Sequence, residues 1–139
     1  MVTLFCCPKP FYPEFKMIQE NAIQSWKQLD VVKQIIVCGD EFGVSDVCEK
    51  YGLVHEPEVE RNQWKTPLIS SIFANAYKHV EDTDYVCYVN CDIVLLDDFT
   101  RTVKAFEKKY GNPDRFMMIG RRYDWFTPRE IDFADPGWK

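Results

Sequence analysis

Short apolar runs alternate with amphipathic stretches along this chain, and this order constrains its fold more than any single residue does. We predict strands over residues 2–7, 34–38, 53–55, 85–89 and 115–120, and helices over 13–29, 44–51, 66–80 and 97–110. Such alternation is typical of a parallel sheet with helices packed on it. The sequence therefore predicts one α/β domain over residues 1–139, with a mostly parallel, Rossmann-like central sheet flanked by helices on both faces.

Several of these helices carry start and stop signals. Pro13 suits a first helical turn, where the missing N–H of proline costs nothing, and Gly52 suits a helix C-cap. Thr66 and Pro67 form the clearest start, with Thr as the N-cap and Pro at the first helical position. An apolar stripe at helical spacing then marks this third helix, through Leu68, Ile69, Ile72, Phe73, Ala76, Tyr77 and Val80.

Charge, hydropathy and cysteine placement exclude several classes of protein. The net charge of −5 and the lack of a basic run are unlike a nucleic-acid-binding face, which needs clustered Lys and Arg. No apolar stretch reaches the roughly 20 residues of a membrane span. The six cysteines form no CxxC pair, and most fall in or beside strand-like runs, where free thiols pack as small apolar groups. These features predict a protein of a reducing, cytoplasmic compartment, without a zinc site.

Polar side chains follow most of the predicted strands, at the points where the strands end. In open parallel sheets, ligands bind beyond the carboxyl ends of the strands, which lie at one edge. The polar residues at these ends are Lys9, Asp40, Glu41, Asn90, Asp92, Arg121 and Arg122. We expect them to converge at the same edge of the sheet and to form a ligand site there.

Asp92 is the sharpest candidate in this set. A carboxylate at the end of a buried strand can hold Mg²⁺ or Mn²⁺ through oxygen. A cation held in this way would bridge phosphate oxygens and offset charge on a leaving diphosphate. The alternative is that Asp92 only stabilises a turn, as Asp often does.

Other polar residues offer ligand contacts, each with a plainer alternative. Arg61 could pair with a phosphate and Asn62 could hydrogen-bond a base or a sugar, or both could lie in a solvated loop. Arg121 and Arg122 could clamp a phosphate, or form a surface pair with Asp124. Neither a GxGxxG nor a Walker pattern is present, which disfavours a dinucleotide-dependent dehydrogenase and a P-loop enzyme.

These segments, taken in order, resemble a known family. They are CPKPF at 7–11, GDE at 39–41, VERN at 59–62 with TPL at 66–68, YVNCDI at 88–93 with DDF at 97–99, and GRRYD at 120–124. The chain is similar to a family 2-like glycosyltransferase with the nucleotide-diphospho-sugar transferase (GT-A) fold. The resemblance runs from about Thr3 to the end of the chain.

The resemblance implies transfer of a sugar from a nucleotide-diphosphate donor to an acceptor, with Mg²⁺ or Mn²⁺. Asn90 and Asp92 stand where the family carries its DxD motif, so Asp92 is the implied metal ligand and Asn90 replaces the first carboxylate. The nucleotide contacts that the match implies are Pro8 at the tip of the first strand, Asp40 near the base and Arg61 near the nucleotide or its phosphates.

The chain is expected to be an incomplete form of that fold, its N-terminal nucleotide-binding part. Members of the family build the acceptor site and supply a catalytic base after the metal motif, and Asp124 is the candidate base here. One alternative is a non-catalytic nucleotide-binding or regulatory α/β module, although a phospho-receiver would need an acidic pair after the first strand. The other is a nucleotidyltransferase, which usually carries a Gly-rich loop where this chain has Pro8-Lys9-Pro10.

Overall fold

A computed structural model of the chain describes residues 1–111 and 113–138, and it has the predicted α/β architecture. The elements in chain order are β1 (Val2–Cys6), α1 (Pro13–Lys27), β2 (Val32–Cys38), α2 (Val44–Tyr51), β3 (Val54–Glu56), α3 (Ile69–Tyr77), β4 (Tyr85–Tyr88), α4 (Asp97–Tyr110) and a 3-10 turn (Pro136–Trp138). Within the described residues, none of the helices is both long and apolar enough to cross a membrane.

The sheet is parallel throughout, with the strand order β3-β2-β1-β4. Phe5 of β1 lies opposite Ile36 of β2 on one side and Tyr88 of β4 on the other. All five residues of β1 are buried. A strand covered on both faces needs apolar side chains in both directions, which explains the mostly apolar run of β1, where Thr3 is the one polar residue.

Helices cover both faces of the sheet, as predicted. On one face, side chains of α1, α2 and α4 pack with Leu4 and Val37 around Trp26, which is fully buried. On the other face, Ile72 and Ala76 of α3 pack against Phe5, Ile36 and Cys38. Alternate residues of the same strands therefore contribute to two separate clusters, as the pleat requires.

The predicted helix start at Thr66-Pro67 is wrong. Pro67 instead pairs with Arg61 in an antiparallel bridge, and the amide of Asn62 donates to the carbonyl of Thr66 at 3.0 Å. The Asn62 side chain also accepts hydrogen bonds from the amides of Trp64 and Thr66, at 2.9 and 3.0 Å. Thr66 and Pro67 therefore belong to this turn and not to a helix. Helix α3 begins after Leu68, without a side-chain cap.

The predicted fifth strand over 115–120 is also wrong, because no strand follows β4 in the part of the chain that the structure describes. Phe116 joins an aromatic cluster with Tyr85 and Phe106, at ring distances of 5.4 and 4.6 Å. Met117 and Ile119 remain more than four-fifths exposed, at 84% and 81%. An apolar pattern becomes a strand only where a neighbouring edge pairs with it, and here the aromatic contact directs the segment elsewhere. Gly111 ends α4 as predicted, and Asn112 lies outside the described residues.

Candidate functional site

The carboxyl ends of the four parallel strands lie at one edge of the sheet. Cys7 follows β1, Gly39 follows β2, and the end of β3 lies next to the end of β2, where Cys38 pairs with Glu56. Beyond β4, the amide of Val89 still donates to the carbonyl of Phe5, at 3.1 Å. This is the edge at which open parallel sheets bind ligands, and the predicted residues after β1, β2 and β4 do lie along it.

The turn after β2 is built around Gly39. Its φ of +109° is a conformation that side-chain-bearing residues rarely adopt. A side-chain carbon added there would lie 3.6 Å from the Cys7 sulfur, which is an ordinary contact, so the positive φ and not the space is what favours glycine here. The Gly39 amide donates to the carbonyl of Glu56 at 2.8 Å, and its carbonyl accepts a hydrogen bond from His55 Nε2 at 2.9 Å. These contacts set the position from which Asp40 and Glu41 leave the sheet.

Arg61 reaches this turn from the loop after β3. Its Nη2 lies 2.8 Å from a Glu41 oxygen and 3.4 Å from an Asp40 oxygen, while Nη1 donates to the carbonyl of Lys65 at 3.0 Å. The Arg61 side chain is 23% exposed. The structure thus brings together Asp40 and Arg61, two of the predicted nucleotide contacts. Asn62, the third polar candidate of this region, uses its side-chain oxygen within the turn over 62–66.

The turn after β4 carries Asn90 and Asp92, both exposed, on either side of the buried Cys91. The amide of Ile93 closes the turn by donating to the carbonyl of Asn90, at 3.1 Å. The buried indole of Trp26 donates to the carbonyl of Ile93, at 2.9 Å. Helix α1 therefore fastens the turn from below and leaves its two polar side chains facing solvent.

A second hydrogen bond fastens the same segment to α1. The amide of Leu95 donates to the hydroxyl of Ser25, at 3.0 Å, and Ser25 is fully buried. Nothing in the local sequence predicts either contact, because the partners are separated by 67 and 70 residues.

The loop after β1 is held by a side chain that the sequence analysis did not identify. Gln19 of α1 is 3% exposed; its Oε1 accepts from the Lys9 amide at 2.8 Å and its Nε2 donates to the Lys9 carbonyl at 3.0 Å. Pro8 is buried beside this loop, and the Lys9 side chain is exposed. A paired amide clamp of this kind leaves no local sequence signal, since an amphipathic helix carries many such polar residues.

A second loop contact joins the ends of β1 and β2. The Phe11 amide donates to the Phe42 carbonyl at 2.8 Å, and the rings of Tyr12 and Phe42 stack with their centroids 5.2 Å apart. Gly43, with φ +79°, sits so close that an added side-chain carbon would lie 2.9 Å from Cβ of Phe11. The two loops that border Asp40 and Glu41 are thus locked to each other.

Two thiols at this edge, those of Cys6 and Cys7, have raised pKa values. Burial raises the pKa of Cys7 to about 11, although the nearby Arg61 guanidinium acts in the opposite direction. A hydrogen bond to Cys91, together with burial, raises the pKa of Cys6 well above its ordinary value. Burial raises the pKa of Tyr88, and the Asp92 carboxylate adds to the effect. The raised pKa of Cys7 disfavours its thiolate, which is the nucleophilic form of a cysteine.

Asp92 suits a cation that is shared with a ligand rather than caged by protein. Among the described residues, no group of three or more His, Cys, Asp or Glu side chains could hold a metal ion. Mg²⁺ is commonly bound through one or two carboxylates plus substrate phosphates, and it keeps several waters. The exposed carboxylate of Asp92 and the exposed amide of Asn90 fit that mode.

A groove of about 820 Å³ leads away from Asp40 and Arg61 along α3. Its floor is held by Glu60, whose amide donates to the Ser71 hydroxyl at 2.9 Å, and by a hydrogen bond from Asn75 to the Glu58 carbonyl. Most of the residues that line the groove are polar. Asp40 and Arg61 belong both to this lining and to the sheet edge.

The last predicted contacts, Arg121, Arg122 and Asp124, lie in the exposed segment after α4. Arg122 Nε is 3.5 Å from an Asp124 oxygen, and the Asp124 side chain is 91% exposed. This is the surface pair that the sequence analysis named as the alternative. The predicted fifth strand, which was to bring these residues to the sheet edge, does not form in the described part of the chain.

Comparison with known proteins adds no relative. No protein-family model matches the chain, and no curated protein matches it. The interpretation of the edge therefore depends on the residues and their geometry.

Proposed function

We propose that this edge binds a nucleotide-diphosphate sugar and that the protein is a metal-assisted glycosyltransferase of the GT-A type. The observation that carries the proposal is the placement of Arg61 with Asp40 beyond β2, at the same edge as Asp92 beyond β4. In this assignment Arg61 binds phosphate, Asp40 contacts the nucleoside beside the loop that contains the buried Pro8, and Asp92 faces the diphosphate through Mg²⁺ or Mn²⁺. Asn90 adds a neutral oxygen to that side.

The charge balance of the edge supports metal assistance. The three carboxylates of Asp40, Glu41 and Asp92 outnumber the two cationic side chains of this edge, those of Arg61 and the exposed Lys9. A diphosphate would meet net repulsion from such a set, and a divalent cation beside Asp92 would reverse it. The cation would supply charge neutralisation at the leaving diphosphate.

Sugar transfer also needs a base or another means of activating the acceptor, and Asp124 is the candidate for this role. The Asp124 carboxylate is exposed and paired with Arg122. This observation favours the second candidate function, a nucleotide-binding module that binds the donor without transferring its sugar.

The first test is calorimetric titration of the protein with UDP and GDP sugars in the presence of Mn²⁺. We expect one of the two nucleotides to bind, and Asp92→Ala to weaken that binding. Absence of binding by both, with Asp92→Ala indistinguishable from the wild type, would overturn the proposal.

A second test separates transfer from binding. Release of free nucleoside diphosphate from the bound donor, in the presence of a panel of sugar acceptors, is expected of a transferase. Tight donor binding without any release would instead support the non-catalytic module.

A further inference from the structure

Two consecutive carboxylates contact Arg61, and they do so unequally. Glu41 lies 2.8 Å from Nη2 and its side chain is 29% exposed, whereas Asp40 lies 3.4 Å away and is 73% exposed. The Glu41 ion pair has the stronger Coulomb attraction of the two, because the attraction between opposite charges weakens with distance and with hydration.

The backbone explains the difference. The carbonyl of Glu41 accepts from the Val44 amide at 3.1 Å, and the carbonyl of Phe42 accepts from the Phe11 amide at 2.8 Å. Glu41 therefore stands in a segment tied both to the start of α2 and to the loop after β1. Asp40 comes directly after Gly39 and lines the groove along α3. One carboxylate is fixed by its surroundings, and the other points toward solvent.

The donors of Arg61 divide in the same way. Nη1 is used by the Lys65 carbonyl, at 3.0 Å. Nη2 forms a close ion pair with a Glu41 oxygen, at 2.8 Å, and donates a long hydrogen bond to an Asp40 oxygen, at 3.4 Å. A phosphate oxygen could take the place of Asp40 at Nη2 without disturbing Glu41 or Lys65.

We propose that Glu41 is a positioning residue that holds Arg61 ready for phosphate, while Asp40 gives up its contact with Arg61 when the ligand binds. This inference rests on the proposed function, since it names how Arg61 meets the diphosphate. The carboxylate of Asp40, once released, is free to accept a hydrogen bond from the nucleoside.

The test compares Glu41→Gln with Asp40→Asn, with pyrophosphate and UDP or GDP as ligands in Mn²⁺. Each substitution removes one negative charge near the phosphates, so a purely electrostatic effect would tighten pyrophosphate binding in both variants. We expect Glu41→Gln to weaken pyrophosphate binding about tenfold, because Arg61 is no longer held. We expect Asp40→Asn to tighten it about twofold while weakening the nucleoside diphosphate.

Glu58→Gln is the matched control. Glu58 is an exposed carboxylate that lines the same groove, and its side chain makes no contact with Arg61 within the described residues. Its removal should change pyrophosphate affinity by less than about twofold. Tighter pyrophosphate binding by Glu41→Gln would overturn the inference, because Glu41 would then only repel the ligand.

A second measurement needs no ligand. The Nε–Hε signal of Arg61 in a ¹⁵N NMR spectrum should report a restrained side chain in the wild type and in Asp40→Asn, and a mobile one in Glu41→Gln. Equal mobility in all three proteins would overturn the positioning role of Glu41 alone. Failure of the wild type to bind pyrophosphate, UDP and GDP would instead overturn the proposed function, together with the part of this inference that concerns the ligand.

Discussion

The two halves of the sheet edge are built in different ways. The arginine half, made of Asp40, Glu41 and Arg61, is closed on itself by ion pairs at 2.8 and 3.4 Å. The Asp92 half, made of the turn with Asn90 and Asp92, presents both polar side chains to solvent. The side chains of one half contact each other, and the two polar side chains of the other half are exposed.

The difference shows how each half is expected to respond to change. Loss of Arg61 removes a positioned hydrogen-bond donor, so ligand affinity should fall by a similar factor with and without the metal ion. The Asp92 half is supported from α1 through Trp26 and Ser25, and under the proposed function it also binds the cation. Changes there should act on the folded turn or on the metal-dependent part of binding.

Arg61→Ala is expected to have the largest effect on ligand affinity. A hydrogen bond to a charged group contributes about 1.5–3 kcal/mol, which corresponds to a roughly 10- to 150-fold loss of nucleoside diphosphate affinity. Isothermal titration with and without Mn²⁺ should show a similar loss in both conditions. Lys65→Ala is the control, because Lys65 contacts Arg61 only through its backbone carbonyl. An equal loss in the control would mean that the turn over 62–66, and not the guanidinium, binds the ligand.

Trp26→Phe should destabilise the Asp92 half from below. The substitution removes the indole N–H that donates to Ile93 and leaves that carbonyl without its partner, at a cost of about 1–3 kcal/mol in the free energy of unfolding. Urea denaturation measures this quantity. The matched control is Trp64→Phe, since Trp64 is 75% exposed and should change stability by less than about 0.5 kcal/mol. Equal stability of the two variants would show that the turn after β4 does not depend on α1.

Asp92→Asn should remove the metal-dependent part of binding alone. We expect affinity in Mn²⁺ to fall by roughly tenfold, about 1.4 kcal/mol, toward the value measured in EDTA. Asp114→Asn, a change of an exposed carboxylate outside the edge, should leave the metal dependence intact. Retention of the Mn²⁺ effect by Asp92→Asn would place the cation elsewhere.

The smallest effect concerns the Cys7 thiol. Its pKa of about 11 lies above the ordinary value of 9.0. Between these two pH values the folded protein therefore keeps the Cys7 proton, whereas the unfolded chain loses it. Stability from this group is therefore present below pH 9 and declines as the pH rises toward 11. Because Arg61 lowers this pKa, Arg61→Ala should raise it further. The measurement is alkylation of the folded protein at a series of pH values, with the modified fraction of the peptide that contains Cys7 determined by mass spectrometry. Alkylation that begins at a lower pH, as for an ordinary thiol, would show that burial does not protect Cys7.

The local patterns predicted the body of the fold because each is set by neighbouring residues. The run over Val2–Cys6 is apolar except for Thr3 and has apolar residues on both sides of the pleat, and Pro13 and Gly52 mark helix ends by their own backbone preferences. Thr66-Pro67 failed because Asn62 offers the same backbone a competing turn.

The segment over 115–120 and the supports of the site could not be predicted in this way. Whether an apolar run becomes a strand depends on a free neighbouring edge, and Phe116 shows that an aromatic contact can win instead. Gln19 and Trp26 hold the loops of the site by contacts that join distant parts of the chain. The strand ends predicted which polar residues share an edge, but the pairing of Arg61 with Glu41 emerges only from the folded geometry.

The central claim is that one ligand bridges both halves of the edge, and chemical shift mapping tests it most directly. In ¹H–¹⁵N spectra, the protein is titrated with UDP or GDP, whichever binds, in the presence of Mg²⁺. We predict that the amide signals that shift belong to residues 7, 9, 39–41, 61 and 90–92. Spectra of the Asp92→Asn variant should lose the last group while keeping the others. Shifts confined to one half, or grouped along α3 and away from the strand ends, would contradict the account.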